Sequence, residues 1–253
     1  MSAFGIASNV FVCCFGAALI GLVLHRFVHE RHLDDDSKDT VKLVMGLLAT
    51  MSALVLGLLI ATAKSSYDAQ QTAVQQLAAD NVQLDQRLAR FGAETKEIRT
   101  RLRDDVSRVH TLIWSPEGAD PAALDPMISA REFGAILARI QDMVPKTDAQ
   151  HNDQVKALEI GSAIERTRLL MFVATTSKIP LPFLVVLVWW LAALFLGFGL
   201  FARLNVTVTV SLLIGALSIA AAIFLILELN SPYSGLMRIS DTPIQYALAR
   251  IGQ

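Results

Sequence analysis

Gly46, Thr50, Ala53, Gly57 and Ala61 step by four, three, four and four along an uncharged stretch, so all five fall on one helical face of small or hydroxyl side chains. In lipid, such a face does one of two things. It lets another helix approach closely, because apolar burial gives no drive between helices in hydrocarbon. Alternatively it lines a pore or cavity in an oligomer, with Thr50 supplying a hydroxyl and Lys64 a positive mouth. Lys64 and Glu228 end two of the apolar stretches and make a candidate boundary charge pair; two side chains reaching separately for water is the plainer reading. His25, His29 and His32 are spaced at i, i+4 and i+7, with Asp34, Asp35 and Asp36 directly after them. Imidazoles and carboxylates in that pattern suit a divalent metal, but no thiolate or second motif accompanies them. A solvated, pH-sensitive linker is the expected reading, and no metal is assigned.

The chain shows none of the constellations that carry catalysis. It has no glycine-rich phosphate loop, no G-x-S-x-G and no H-E-x-x-H. His110 and His151 lie in polar helical sequence. The adjacent Cys13 and Cys14 sit inside an apolar stretch and read as packing or lipid-facing residues. No enzyme activity and no cofactor are expected. A formal net charge of −1, without a basic stripe, argues against nucleic acid. No carboxylate or histidine chain runs through the apolar stretches, which argues against an ion-coupled pump more strongly than against a passive pore.

Four apolar stretches must position these residues. Segments 6–24, 43–63, 181–202 and 206–227 contain no Asp, Glu, Lys or Arg. Each approaches or exceeds the roughly 20 residues that cross a bilayer core. The expected fold is all-α and integral to the membrane, with four transmembrane helices and a helical, partly coiled-coil-like extramembrane insert between the second and third. By segment, 1–63 is the first helix pair, 64–178 the insert, 179–229 the second pair and 230–253 a short tail. The first stretch lacks a positive leader and a cleavage motif, and reads as a retained helix. The short links after the first and third crossings lie on one face of the membrane, and the insert and both termini on the other. Five basic residues near the membrane on each side leave orientation undecided by charge.

Within the insert, Leu77, Asn81, Leu84, Leu88, Phe91, Thr95, Ile98, Leu102, Asp105, Val109 and Leu112 alternate steps of four and three. That heptad-like seam predicts the second crossing to run on as one long amphipathic helix to Trp114, with Gly92 its weak point. Ser129 and Glu132 have capping-box spacing and predict the start of a shorter helix. A last helix over 148–177 leads back to the membrane, and Pro180 and Pro182 mark the start of the third crossing.

Set side by side, these parts resemble a bacterial membrane-protein family described as bestrophin-like. The matching residues are Gly46-Leu-Leu-Ala-Thr through Gly57, then Ser66-Tyr67-Asp68-Ala69, Ala73-Val74, Leu77 and the stop at Trp114. Near the far end, Phe224-Leu-Ile-Leu-Glu-Leu precedes Asn230, Pro232, Tyr233, Gly235 and Ile239-Ser240. The family ends its last apolar helix at Asp-x-Pro-Phe-x-Gly; here Asn230 replaces the acid and Tyr233 the phenylalanine. The resemblance spans residues 5–248. It implies the four-helix membrane fold and self-association. By layout it extends to the bestrophins proper, which are anion channels assembled as pentamers with the second crossing lining the pore. Segment 43–63 departs from them in having no Phe, Tyr or Trp.

The resulting expectation is an oligomeric, bestrophin-like channel passing small anions passively in the cell (inner) membrane, with the insert and both termini in the cytosol. The alternative is a non-conducting scaffold or sensor whose insert self-associates or binds a partner. The two differ in where the 46–61 stripe points. A scaffold buries it against its own third or fourth crossing, and a channel leaves it facing a symmetry axis.

Overall fold

The computed structural model describes residues 2–25, 35–114, 126–176, 181–202 and 205–253. Among them there is no strand. The helices are α1 (Ala3–His25), α2 (Asp35–Phe91), α3 (Lys96–Ile113), α4 (Pro126–Gln141), α5 (Asp148–Thr176), α6 (Leu181–Phe201), α7 (Val206–Leu229) and α8 (Thr242–Arg250), with a 3-10 turn at Ala93–Thr95. Four of them, α1, α2, α6 and α7, are long and apolar enough to cross a membrane. The chain forms two compact units. One holds Met1–Ser65 and Lys178–Asn230, the other Ser66–Ser177 and Ser231–Gln253.

The first unit is built on α1, which packs against α6 and α7. Val10, Cys14 and Ala18 recur every fourth residue on α1, as Leu187, Leu191 and Phe195 do on α6, so each helix offers one ridge to the other. The ridges close on glycine. A Cβ on Gly21 would fall on the Leu196 carbonyl oxygen, and one on Gly199 on the Ala18 carbonyl oxygen. Both backbones can come this near only because neither residue has a side chain. α2 joins through Met45, whose Cε and Sδ lie 2.7 Å from where a Cβ on Gly197 would stand.

In the second unit, the predicted single helix to Trp114 is instead two. α2 stops at Phe91, and Gly92 takes φ +141°, a backbone conformation that side chains disfavour. Thr95 Oγ1 donates to the carbonyls of Leu88 (2.6 Å) and Gly92 (2.7 Å) and closes the turn. α3 then runs back along α2, because Arg99 forks onto both carboxylate oxygens of Asp85 at 2.8 and 2.9 Å. The heptad-like seam is therefore internal. Its residues from Leu77 to Val109 are all buried within this chain, and Leu112 is half-buried. The period read from sequence is that of two helices facing each other across a hairpin, which a straight helix shares.

Phe133, Ile136 and Ile140 of α4 and Ala157, Ile164 and Met171 of α5 complete this core. α4 begins at Pro126, before the predicted cap at Ser129; proline at a helix start costs no hydrogen bond. Gln154 Nε2 closes its far end, donating to the carbonyls of Ile140 and Met143 at 2.8 Å each. α2 likewise begins at Asp35, inside the predicted charged link. Residues after Ser231 are part of the same unit, with Tyr233, Ile239, Ile244, Ala247 and Ile251 in its core.

Candidate functional site

Seen down its axis, the membrane stretch of α2 has three strips. Ser52 is buried, and Val55, Leu56 and Leu59 are half-buried against the first unit's core. Leu43, Leu47, Leu54 and Leu58 form a bulky exposed strip. Gly46, Thr50, Ala53, Gly57 and Ala61 form the third, and all five are exposed. A Cβ added at Gly46 or Gly57 meets nothing within 4 Å. The close glycine packing of this unit falls instead on α1 and α6, at Gly21 and Gly199. Only 11% of the apolar window of α2 is buried, against 22–33% for the other three spans, so α2 is the span that the protomer covers least.

Thr50 Oγ1 donates to the Gly46 carbonyl at 2.9 Å, the bond to the preceding turn that a helical hydroxyl makes where no other acceptor is near. Its lone pairs remain available, while its proton is committed in this rotamer. Lys64, one turn beyond Ala61, is exposed. Glu228, in the last turn of α7, is buried. His25 Nδ1–H donates to the Leu200 carbonyl at 2.8 Å, tying the end of α1 to the end of α6. That bond gives His25 a structural role. His29, His32 and Asp34 lie outside the described residues, as do the side chains of Asp35 and Asp36. Among the described residues no group of His, Cys, Asp and Glu is placed to hold a metal.

In the second unit the outward side of α2 is polar but uncharged. Gln71, Thr72, Gln75, Ala79, Gln83 and Gln86 are exposed, and no exposed residue between Asp68 and Arg90 carries a charge. The exposed side of α3 is the opposite, with Lys96, Glu97, Arg101, Arg103 and Asp104. Solvated helix faces usually carry charge, and loss of charge at an exposed surface is the mark of a face that meets something.

The end of this unit where the chain comes in is tied by a buried polar relay. Tyr233 Oη donates to Gln70 Oε1 at 2.6 Å, and Gln70 Nε2 donates to the Met171 carbonyl at 3.4 Å. Burial pushes the Tyr233 hydroxyl well above the usual phenol range, so it stays a donor. Trp114 Nε1 donates to the Ile239 carbonyl at 2.9 Å, and its ring meets Tyr233 edge-on and His110 face-on. His110 Nε2 pairs with Asp241 Oδ2 at 2.9 Å. That hydrogen bond is the chief reason the Asp241 carboxyl lies below the usual carboxylate range.

A four-span helical membrane protein with a helical insert between its second and third spans is the class these features define. The bestrophin-like domain model matches residues 12–244, and the chain belongs to the bestrophin-like family. Solved structures of similar shape include two single-substitution variants of a bacterial bestrophin homologue from Klebsiella pneumoniae. One matches at a TM-score of 0.71 with 11% identity, over 96% of this chain and 97% of that one. The other matches at 0.70 with 14% identity, over 100% and 99%. At these identities the likeness is one of fold. No curated protein sequence matches this chain.

Proposed function

We propose that the protein is an oligomeric channel that passes small anions passively, with α2 of each copy facing the symmetry axis. The observation that carries this reading is the exposure of the Gly46–Thr50–Ala53–Gly57–Ala61 stripe. It is the more polar of the two exposed strips on the span that its own protomer covers least, and exposed small residues in lipid ask for a second copy or an aqueous lumen. The scaffold alternative needs that stripe buried against the chain's own helices. The uncharged glutamine face of α2 supports the same reading in the second unit, as a wall that holds no ion tightly.

The bias toward anions rests on Lys64 at the mouth, since the Thr50 proton is already used. Asp68, one turn further along α2, opposes it, so selectivity depends on which of the two dominates the field. By analogy with the family layout the assembly is a homo-pentamer in the inner membrane, with the insert and both termini cytosolic. No catalytic role or cofactor belongs to this reading.

The test is single-channel recording of the purified protein in a planar bilayer under a chloride gradient. Currents reversing near the chloride potential support the proposal, and Lys64→Glu then shifts the reversal toward the cation potential. Silence from an inserted, folded oligomer moves the function to the scaffold reading. Charge reversal at Lys64 that is not rescued by Glu228→Lys removes the boundary pair.

A further inference from the structure

The chain passes into the second unit at Ser66, out at Ser177 and in again at Ser231. Gln70, Met171 and Tyr233 stand within a few residues of those three points, and the Tyr233–Gln70–Met171 relay binds them into one layer. That layer is the tethered end of the unit, since each of its three chain segments leads along the sequence within about ten residues to a helix able to cross the membrane.

Exposed apolar side chains stand close in sequence to this layer. Leu236 is 84% exposed, Leu170 56%, Val173 50% and Leu169 47%. Val173 lies eight residues before Leu181, where α6 begins, and Leu236 seven after Leu229, where α7 ends. Gly235, with φ +85°, turns the chain immediately before Leu236. Arg166, one turn before Leu169 and Leu170 on α5, is exposed and adds a cation beside them. In water, leucine and valine side chains this exposed are unfavourable. Apolar tips edged by a basic residue and joined by short chain to membrane spans fit the boundary between lipid headgroups and acyl chains.

We infer that the 234–237 turn and the Leu169–Leu170–Val173 turn of α5 form an interfacial anchor that enters the headgroup region of a phospholipid membrane. The anchor fixes the second unit against the bilayer at two further points besides its covalent connections. It depends on the four spans alone and stands whether or not the protein conducts.

Site-directed spin labelling tests it on the full chain in phospholipid vesicles. Leu236→Cys and Leu170→Cys, each in a Cys13→Ala, Cys14→Ala background, carry the label, with Thr100→Cys on the exposed side of α3 as the aqueous control. The anchor gives, at both sites, a several-fold higher ratio of oxygen to nickel-chelate collisions than at position 100, with a depth of about 5–10 Å below the phosphates. A ratio equal to that at position 100 places the turns in water and overturns the proposal. Low collision rates with both reagents, accompanied by dipolar broadening between labels, place a second copy of the chain there and overturn it equally. If the cysteine-free background misfolds, Leu236→Trp in the native-cysteine chain gives the same answer. Quenching of the added emission by acyl-chain-brominated lipid supports the anchor, and its absence refutes it.

Discussion

Replacing Gly57 by leucine separates a stripe that faces outward from one packed inside the protomer. At Gly57 the added Cβ has no heavy atom within 4 Å, and the position is mid-helix without positive φ. Within one protomer the substitution removes a flexible glycine and makes no clash, so folding of the protomer is expected to gain up to about 1 kcal/mol. Gly199 is the internal control. There a Cβ falls on the Ala18 backbone carbonyl, which cannot swing aside as a side chain can. Even Gly199→Ala is expected to cost about 1–3 kcal/mol from overpacking. The two variants should therefore differ by about 1–4 kcal/mol, roughly 2–16 °C in apparent Tm for a chain of this size. The assay is thermal unfolding in detergent followed by size-exclusion recovery, with Gly57→Leu, Gly199→Ala and wild type in parallel. In a working channel, Gly57→Leu is further expected to cut single-channel conductance, because each copy adds a side chain to the lumen. A Gly57→Leu protomer that unfolds as readily as Gly199→Ala refutes the reasoning, since it means that the stripe is buried within the chain.

Thr50→Val removes the hydroxyl at nearly constant volume and should change conductance or selectivity while leaving Tm unaltered; unchanged currents exclude Thr50 from the lining. Asp105 sits between Arg168 (2.6 Å) and Arg108 (2.7 Å), its pair with Arg168 almost fully buried, so Asp105→Asn should cost about 3–5 kcal/mol, with Arg168→Met restoring part of it. The emission of Trp114 reads this when Trp189 and Trp190 are replaced by phenylalanine. Asn81 is buried, gives its Nδ2–H to the Leu77 carbonyl at 2.7 Å and leaves Oδ1 without a hydrogen-bond partner. Asn81→Leu should thus stabilise the second unit by about 1–2 kcal/mol without changing cross-linked oligomer yield. Because the Asp241 carboxyl is lowered in the folded chain, its contribution is complete above about pH 4 and is lost as pH falls through its folded value. Amide exchange in α8 should accelerate over that acid range, and Asp241→Asn should abolish the dependence.

The four spans were legible because hydrocarbon imposes a single rule, about 20 uncharged residues per crossing, that needs no tertiary partner. The helical insert was legible from its period, and the stripe at 46–61 from residue size and spacing. Other features turn on where the chain folds back. A heptad-like seam does not say whether its faces meet a partner or each other, and the break at Gly92 makes that choice through one backbone angle and the Thr95 hydroxyl. In sequence the small-residue stripe of α2 reads equally as a packing face or a lining, and in the fold Gly21 on α1 and Gly199 on α6 are the described glycines whose added Cβ would meet a backbone. Composition cannot choose between the two readings, because close approach depends on which helices become neighbours. The neutral glutamine face of α2 and the exposed apolar side chains near the tethered end also emerge only with the fold, when burial shows which residues are left outside.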